Sequence, residues 1–313
     1  MELFNILIRQ VGFFSTTLII GFIAQRVGFF TSQTIDSLSR IMMKVVIPLM
    51  ILTVVPSSGT KGEFLASWPF MICCFLMYGI NMTAGFLSGK VLKMKKPEIN
   101  IHICSVSFQN SAILGYPIII AMFPEKSGIY IAGFLIVETL MCWTVGILII
   151  TSGTGSGKID LRKVITPMTI ALVIGIIMVF ADIHPKNVVW EAFTGIGGTL
   201  KYLGLLYIGA DIGRKGFKKL FSNPRVFFTV PIKLIISPLI LFFILLGTGI
   251  VDINSIIAIT IFAMLPSMLV ISILAQEYNC APDYATGAIL ATTISCLFTM
   301  PIVFFIVSIF SNI

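Results

Sequence analysis

The chain has 313 residues, 57% of them hydrophobic and only 11% charged, with a mean hydropathy of +1.05. Water-soluble domains carry about 25% charged residues, so a soluble globular protein is excluded and an integral membrane protein in a lipid bilayer is expected. The net charge of +8 does not indicate a nucleic-acid partner, because the basic residues are confined to short loops between apolar stretches.

Ten apolar stretches follow in chain order: 4–25, 34–56, 65–92, 98–123, 127–151, 163–181, 188–213, 226–250, 253–276 and 284–310. Each is near or above the ~20 residues that cross a bilayer core. Prolines and glycines within them fit a helical bundle, and the short alternating segments of a β-barrel are absent. The first stretch follows Glu2 and runs past signal-peptide length, so it reads as a span and not as a cleaved leader. Loops after the first, third, fifth and seventh spans, with their adjoining span ends, hold Arg26, Arg40, Lys90, Lys93, Lys95, Lys96, Lys158, Arg162, Lys163, Arg214, Lys215, Lys218, Lys219 and Arg225. The opposite side holds Arg9, Lys61, Lys126 and Lys186. Cytoplasmic loops are the Lys/Arg-rich ones, which predicts a multi-pass protein of the cytoplasmic membrane with both termini outside.

Near the midpoint, Thr151-Ser152-Gly153-Thr154-Gly155-Ser156-Gly157-Lys158 reads as a flexible connector. It lacks the full phosphate-loop pattern, and no strand precedes it. Five spans before it and five after make the two halves inverted relative to each other. The expected organisation is a first repeat over 1–152, a linker over 153–162 and an inverted second repeat over 163–313. Cys73, Cys74, Cys104, Cys142, Cys280 and Cys296 have no metal or disulfide spacing. They are expected to be free, buried and apolar in behaviour, and no cofactor is expected.

Two clusters interrupt the fourth stretch of each half. The first is Phe108-Gln109-Asn110-Ser111-Ala112-Ile113-Leu114-Gly115-Tyr116-Pro117, the second Met264-Leu265-Pro266-Ser267. Irregular backbone at membrane depth is tolerated where it is buried in protein or lines a cavity, and a matched pair of such breaks points to a transporter's binding site. Asn110 and Ser111 offer hydrogen bonds, while Gly115 and Pro117 weaken the helix. A half-helix N-terminus there suits an anion such as a carboxylate. The plainer reading is a kink, with Asn110 as interhelical glue. Pro266 and Ser267 form the second half of the candidate site.

Ionisable residues within the spans are the other candidates. Lys44 and Lys201 lie near midplane in the second and seventh spans and are read as substrate-carboxylate ligands, or for Lys44 as a structural residue beside Pro48. Glu138, ~16 Å into the fifth span at ~1.5 Å per residue, either carries the coupling ion or pairs with an intramembrane lysine. Asp211 is a second coupling candidate, although its place three residues before Arg214 also suits an interfacial ion pair. Lys233, ~12 Å from the cytoplasmic edge, is expected to snorkel. His102 is expected at the interface and His184 in an outer loop.

Taken together the motifs resemble the auxin efflux carrier family, in its bacterial branch of organic-acid permeases. They are Leu38-Ser39-Arg40 with Ile47-Pro48-Leu49, Gln109-Asn110-Ser111 with Leu114-Gly115-Tyr116-Pro117, and Trp143 with Gly146. Later come Tyr207-Ile208-Gly209-Ala210, Lys233-Leu234 with Ser237-Pro238-Leu239, Met264-Leu265-Pro266-Ser267, Leu274-Ala275-Gln276-Glu277-Tyr278 and Thr292-Thr293-Ile294-Ser295. The resemblance covers essentially the whole chain. It implies an all-α integral membrane protein of ten transmembrane helices in two inverted five-helix repeats, with crossed, broken fourth and ninth helices. It further implies a scaffold part and a moving part, a homodimer through the scaffold, and a small organic anion such as malate or malonate as substrate. Three positions depart from the family pattern: Val270 where an Asn is frequent, Lys44 where a neutral polar residue is common, and Asp211 where a small residue is common.

The function expected is secondary transport of a small mono- or dicarboxylate by alternating access, with a proton as the coupling ion if Glu138 carries it. The main rival is a sodium-coupled symporter of the bile-acid type, for which the third and eighth spans offer only Asn81, Thr83 and Ser237 as cage residues. An enzyme is not expected, since no His, Asp and Ser constellation gathers at one depth, and a passive channel or receptor is a lesser alternative.

Overall fold

The computed structural model describes residues 2–57, 60–152, 165–216 and 223–311; the connector expected at 153–162 lies outside them. Among the described residues all regular structure is helical, apart from one isolated antiparallel bridge. Six helices are long and apolar enough to cross a membrane: α1 (Glu2–Arg26), α2 (Ser32–Ser57), α4 (Trp68–Val91), α7 (Ser127–Thr151), α11 (Val226–Thr248) and α14 (Pro282–Ser311). The short α3 (Lys61–Ala66) precedes α4. Shorter pieces complete the described chain: α5 (Glu98–Ser107), α6 (Ser111–Met122), α8 (Pro167–Phe180), α9 (Val188–Gly198), α10 (Leu200–Lys215), α12 (Ile253–Ala263) and α13 (Leu269–Glu277). The expected fourth and ninth stretches are thus each two helices with a break between them.

Helix starts follow local chemistry. The Thr60 and Glu63 side chains form a reciprocal capping box at α3, as Thr166 and Thr169 do at α8, and each satisfies two N–H groups that the first turn leaves orphaned. The backbone N–H and then the hydroxyl of Thr60, both donating to Glu63, hold its carboxyl below the usual carboxylate range. Asp252 accepts from the N–H groups of Asn254 and Ser255 at the start of α12. The seventh stretch, expected as one helix, is interrupted at Thr199; the glycines Gly195, Gly197 and Gly198 precede it, and Gly197 lies directly on the Met50 backbone.

Four turns are widened to π-helical geometry: Met42–Val46, Ser111–Gly115, Cys142–Gly146 and Ile232–Ile236. Three of them end two residues before a proline, at Pro48, Pro117 and Pro238. A proline leaves the carbonyl four residues back without its N–H partner, and a widened turn is one way for a helix to absorb that mismatch.

Helix ends gather at two poles. At one, Arg225 pairs with Glu98 (3.0 Å), Arg214 pairs with Asp36 (2.6 Å) and Lys96 Nζ reaches the Ser152 carbonyl (3.4 Å). This pole holds the described basic loops that sequence assigns to one side. At the other pole Tyr130 meets Ser255 (3.3 Å), and the rings of Phe64 and Phe180 meet edge to face at 5.9 Å. Between the poles the outer surface is apolar, with Ile19, Ile20 and Ile23 of α1, Ile170 and Val173 of α8, and Phe298, Ile302 and Phe305 of α14 exposed. Such a surface is unstable in water and suited to lipid. All six cysteines are free and buried.

The heaviest packing is of α1 against α10, of α8 and α9 against α2, and of α4 against α5; α11 packs on α12 and α14, and α2 on α7 and α1 on α14 join these into one bundle.

Candidate functional site

The two breaks lie against each other. Asn110 N–H donates to the Pro266 carbonyl at 2.8 Å and Met268 N–H donates to the Phe108 carbonyl at 3.1 Å. These bonds form the antiparallel bridge between Gln109 and Ser267. Backbone groups that a membrane interior could not otherwise satisfy are thereby paired across the two halves of the chain. The first break is confined to Phe108–Asn110; Gly115 and Pro117 fall inside the widened and following turns of α6 and do not interrupt it.

A cavity of about 480 Å³ opens beside this bridge. Its polar lining includes Lys44, Gln109, Asn110, Ser111 and Glu138, and its apolar lining Met43, Leu135, Cys142, Trp143, Met268, Leu269, Val270 and Ile273. Thr166, at the start of α8, and Glu277, at the end of α13, also line it, so it runs from the bridge toward the basic pole. Mostly apolar walls with a few convergent polar groups are the usual make-up of a small-molecule site.

Both half-helices that leave the breaks, α6 and α13, begin at this cavity: Ser111 to Ile113 and Met268 to Val270 line it. A helix N-terminus carries unpaired N–H groups and about half a positive charge. The Asn110 carboxamide makes no hydrogen bond to another described residue, and Lys44, exposed to the cavity, makes no ion pair with one. Three independent sources of positive potential or hydrogen-bond donors therefore converge, which is the chemistry of an anion site.

Glu138 is buried, and its Oε2 accepts from Ser111 Oγ at 2.6 Å. Its Oε1 has no hydrogen-bond partner, and no lysine pairs with it among the described residues. Ser111→Ala leaves this carboxyl without its hydrogen bond and is expected to cost ~1–3 kcal/mol, read as a lower midpoint of thermal unfolding in detergent. In a Glu138→Leu background the same change should cost little, because the two residues act as one pair.

The other candidates are placed differently. Lys201 lines a second cavity, of about 310 Å³, with Gln10, Met50, Tyr116 and Pro117. Tyr116 lines both cavities, and its buried hydroxyl has no hydrogen-bond partner among the described residues. Lys44 and Lys201 thus line different cavities, each of which reaches Tyr116. Pro266 and Ser267 lie behind the bridge: Ser267 is fully buried, with its Oγ donating to the Ser105 carbonyl at 2.6 Å and its N–H donating to Thr292 Oγ1 at 3.0 Å. Gly115 packs on Phe262 and Leu265. Asp211 pairs with Arg214 (2.6 Å) and Lys215 (2.7 Å) and does not line the cavity beside the bridge.

Two expectations are corrected. Lys233 does not snorkel. Its side chain has no exposure, and its Nζ donates to the Val106 carbonyl at 2.8 Å. His102 is not interfacial but fully buried, hydrogen-bonded to Tyr284 (2.8 Å) and Ser88 (2.8 Å), with Thr229 closing the cluster on Tyr284 at 3.0 Å. Sequence reasoning did not single out Gln109 as a site residue, although its buried carboxamide has no hydrogen-bond partner among the described residues, nor the widened turns; the spacing of Pro48, Pro117 and Pro238 was the available signal for the latter.

The family model described as membrane transport protein matches residues 7–304. A relative described as an uncharacterized transporter, from Methanothermobacter thermautotrophicus (strain Delta H), is 24% identical over 296 residues, covering 91% of this chain and 93% of that protein.

Proposed function

Because this chain belongs to the membrane transport protein family, the auxin efflux carriers, we propose that it is a secondary carrier which moves a small organic anion across the cell membrane by alternating access. The observation that carries the reading is the convergence of two half-helix N-termini, the Lys44 ammonium and the unbonded Asn110 carboxamide on one cavity. A carboxylate there accepts from N–H groups and lies at the positive ends of two helices. The cavity has room for a mono- or dicarboxylate of the size of malonate or malate. Two cavities that both reach Tyr116 fit a carrier whose site is open to one side at a time.

In this reading the ten spans are α1, α2, α4, α5 with α6, α7, α8, α9 with α10, α11, α12 with α13, and α14. They form two inverted repeats with both termini outside, and the larger cavity faces the cytoplasm. The group containing α1, α2, α8, α9 and α10 is the scaffold, and two copies meet through it.

Glu138 supplies the coupling. A buried carboxylate beside a bound anion repels it, so the anion is best held when Glu138 carries a proton. Substrate and proton then enter together. Uptake into proteoliposomes should rise as the external pH falls. In Glu138→Gln, which is fixed in the neutral form, binding should persist while the dependence on pH disappears. An unaltered pH profile in that variant would remove Glu138 from the mechanism.

The test of the whole reading is thermal stabilisation of purified protein by a panel of organic acids. At a hundredfold excess over Kd a ligand adds ~2.7 kcal/mol, which is readily measured. A neutral solute that stabilises where no carboxylate does would overturn the anion assignment.

A further inference from the structure

Lys201 takes no part in the cavity beside the bridge, and its own surroundings have the make-up of a second anion site. The cavity of about 310 Å³ that it lines holds Gln10 as a further polar group, with Met50, Tyr116, Pro117 and Ala121 around them. Chain direction fixes where this cavity leads. The first helix ends and the second begins at the basic pole, so Gln10, in the first half of α1, and Met50, in the second half of α2, lie toward the other pole. Ile120 and Ala121 are in the last turn of α6, and the chain continues from there to Tyr130 at that pole. The Lys201 cavity therefore runs from Tyr116 toward the pole opposite the one that the larger cavity approaches.

Among the described residues Lys201 makes no ion pair; its Nζ lies 4.8 Å from the centre of the Tyr202 ring. An ammonium within a membrane span is costly, and one that faces a cavity is a functional group by default. Its place in the chain matches that of Lys44. Lys44 is the thirteenth residue of its span counted from Ser32, and Lys201 the fourteenth of its own counted from Val188. Each stands at an interruption, the widened turn Met42–Val46 for one and the break at Thr199 for the other. An inverted repeat turns equal positions in paired spans toward opposite faces of the membrane. The helix of Lys201 also touches the half-helix that starts at the anion site: Gly204 of α10 lies directly on Ile113 of α6.

We propose that Lys201 is a second anion station: when the site opens toward the pole opposite the basic one, the Lys201 ammonium takes the substrate carboxylate that Lys44 holds in the state open to the basic pole. The inference rests on the carrier reading above. Both lysines belong to the scaffold of that reading, and Asn110, Ser111 and Tyr116 to the part that moves. Each ammonium then waits at one end of the stroke. A charge at one end alone would hold the anion there by Coulomb attraction in a poorly solvated cavity, whereas a charge at each end lets it bind and leave on both sides.

The test places one reporter cysteine in each cavity of the purified protein, Ala121→Cys beside Lys201 and Ala112→Cys in the larger cavity. The six native cysteines are buried, and the parent chain gives the background. Modification rates are measured with an anionic reagent, sulfonatoethyl methanethiosulfonate, and a cationic one, trimethylammonioethyl methanethiosulfonate. Lys201→Gln should lower the ratio of anionic to cationic rates at Ala121→Cys by about fivefold or more, the scale set by one nearby charge in a partly wet cavity. Lys201→Arg should restore the ratio, and Lys201→Met replaces the glutamine variant if that does not purify. Lys44→Gln should leave the ratio at Ala121→Cys unchanged and lower it at Ala112→Cys. Malonate should slow modification of both reporters, and Lys201→Gln should raise the concentration needed at Ala121→Cys by ~10-fold, the loss of a hydrogen bond to a charged group. An unchanged reagent ratio at Ala121→Cys in Lys201→Gln overturns the proposal. So does malonate protection confined to Ala112→Cys, and so does an equal effect of Lys44→Gln at both reporters. If no acid of the panel protects either reporter, the carrier reading fails by itself, and the reagent ratio still decides whether Lys201 draws anions.

Discussion

Asn110→Ala abolishes stabilisation of the purified protein by organic acids and slows their uptake by ~10- to 100-fold. The size follows from what is lost. A hydrogen bond to a charged group contributes ~1.5–3 kcal/mol, and every ~1.4 kcal/mol is tenfold in affinity. The bridge itself should survive, because Asn110 pairs with Pro266 through its backbone N–H and not through its side chain. Its backbone conformation, φ −80° and ψ 65°, lies outside the left-handed region, so alanine brings no strain of that kind. The unliganded melting temperature of the variant should therefore stay near that of wild type. Asn110→Asp adds a negative charge at the same point and should weaken binding further. The measurement is a thermal-shift titration of wild type and both variants with the best acid of the panel. An Asn110→Ala titration that overlays wild type would move the site away from the bridge.

Gly209→Leu should leave little folded protein. The helices α1 and α10 touch backbone to backbone: a β-carbon on Gly209 would lie 2.0 Å from the Leu18 carbonyl oxygen, and one on Gly21 would lie 2.3 Å from that of Leu206. Gly213, one turn beyond Gly209, meets the Gln25 side chain, so Gly209 and Gly213 form a small-xxx-small face. Between helices whose surroundings are as apolar as their side chains, close van der Waals packing is the main attraction, and it vanishes when backbones are forced apart. Overpacking costs ~1–3 kcal/mol where side chains can shift. Backbone cannot shift in that way, so the loss here should exceed that range. Size-exclusion chromatography of detergent extracts would read it as disappearance of the monodisperse peak. Gly12→Leu is the control, since Gly12 also lies on α1 but has nothing within 4 Å of the added carbon. Equal behaviour of the two variants would contradict the packing argument.

Much of the architecture was legible in the chain before any coordinates. The apolar stretches, the break at Asn110 and its counterpart at Pro266, and the pairing of Asp211 with Arg214 all follow from composition and local chemistry. These features depend on position along the membrane normal. The bilayer imposes its demand residue by residue, and 1.5 Å of rise per residue converts sequence number into depth. The matched breaks were visible because proline and glycine act locally on the backbone.

What only the tertiary structure decided is direction around each helix. Depth alone gave Lys44 and Lys201 equal standing, yet they line different cavities. Lys233 sits at a depth from which its amine could have reached the interface, yet it turns inward to the Val106 carbonyl. His102, near the start of its helix, is enclosed by Ser88, Thr229 and Tyr284 from three other segments. In a water-soluble helix the apolar stripe marks the buried face. In lipid the outer face is apolar as well, so the stripe vanishes and sequence loses its account of which side packs inward. The choice is then made by which helices meet, and here it is set by glycine contacts between α1 and α10 and by the backbone pairing of Asn110 with Pro266.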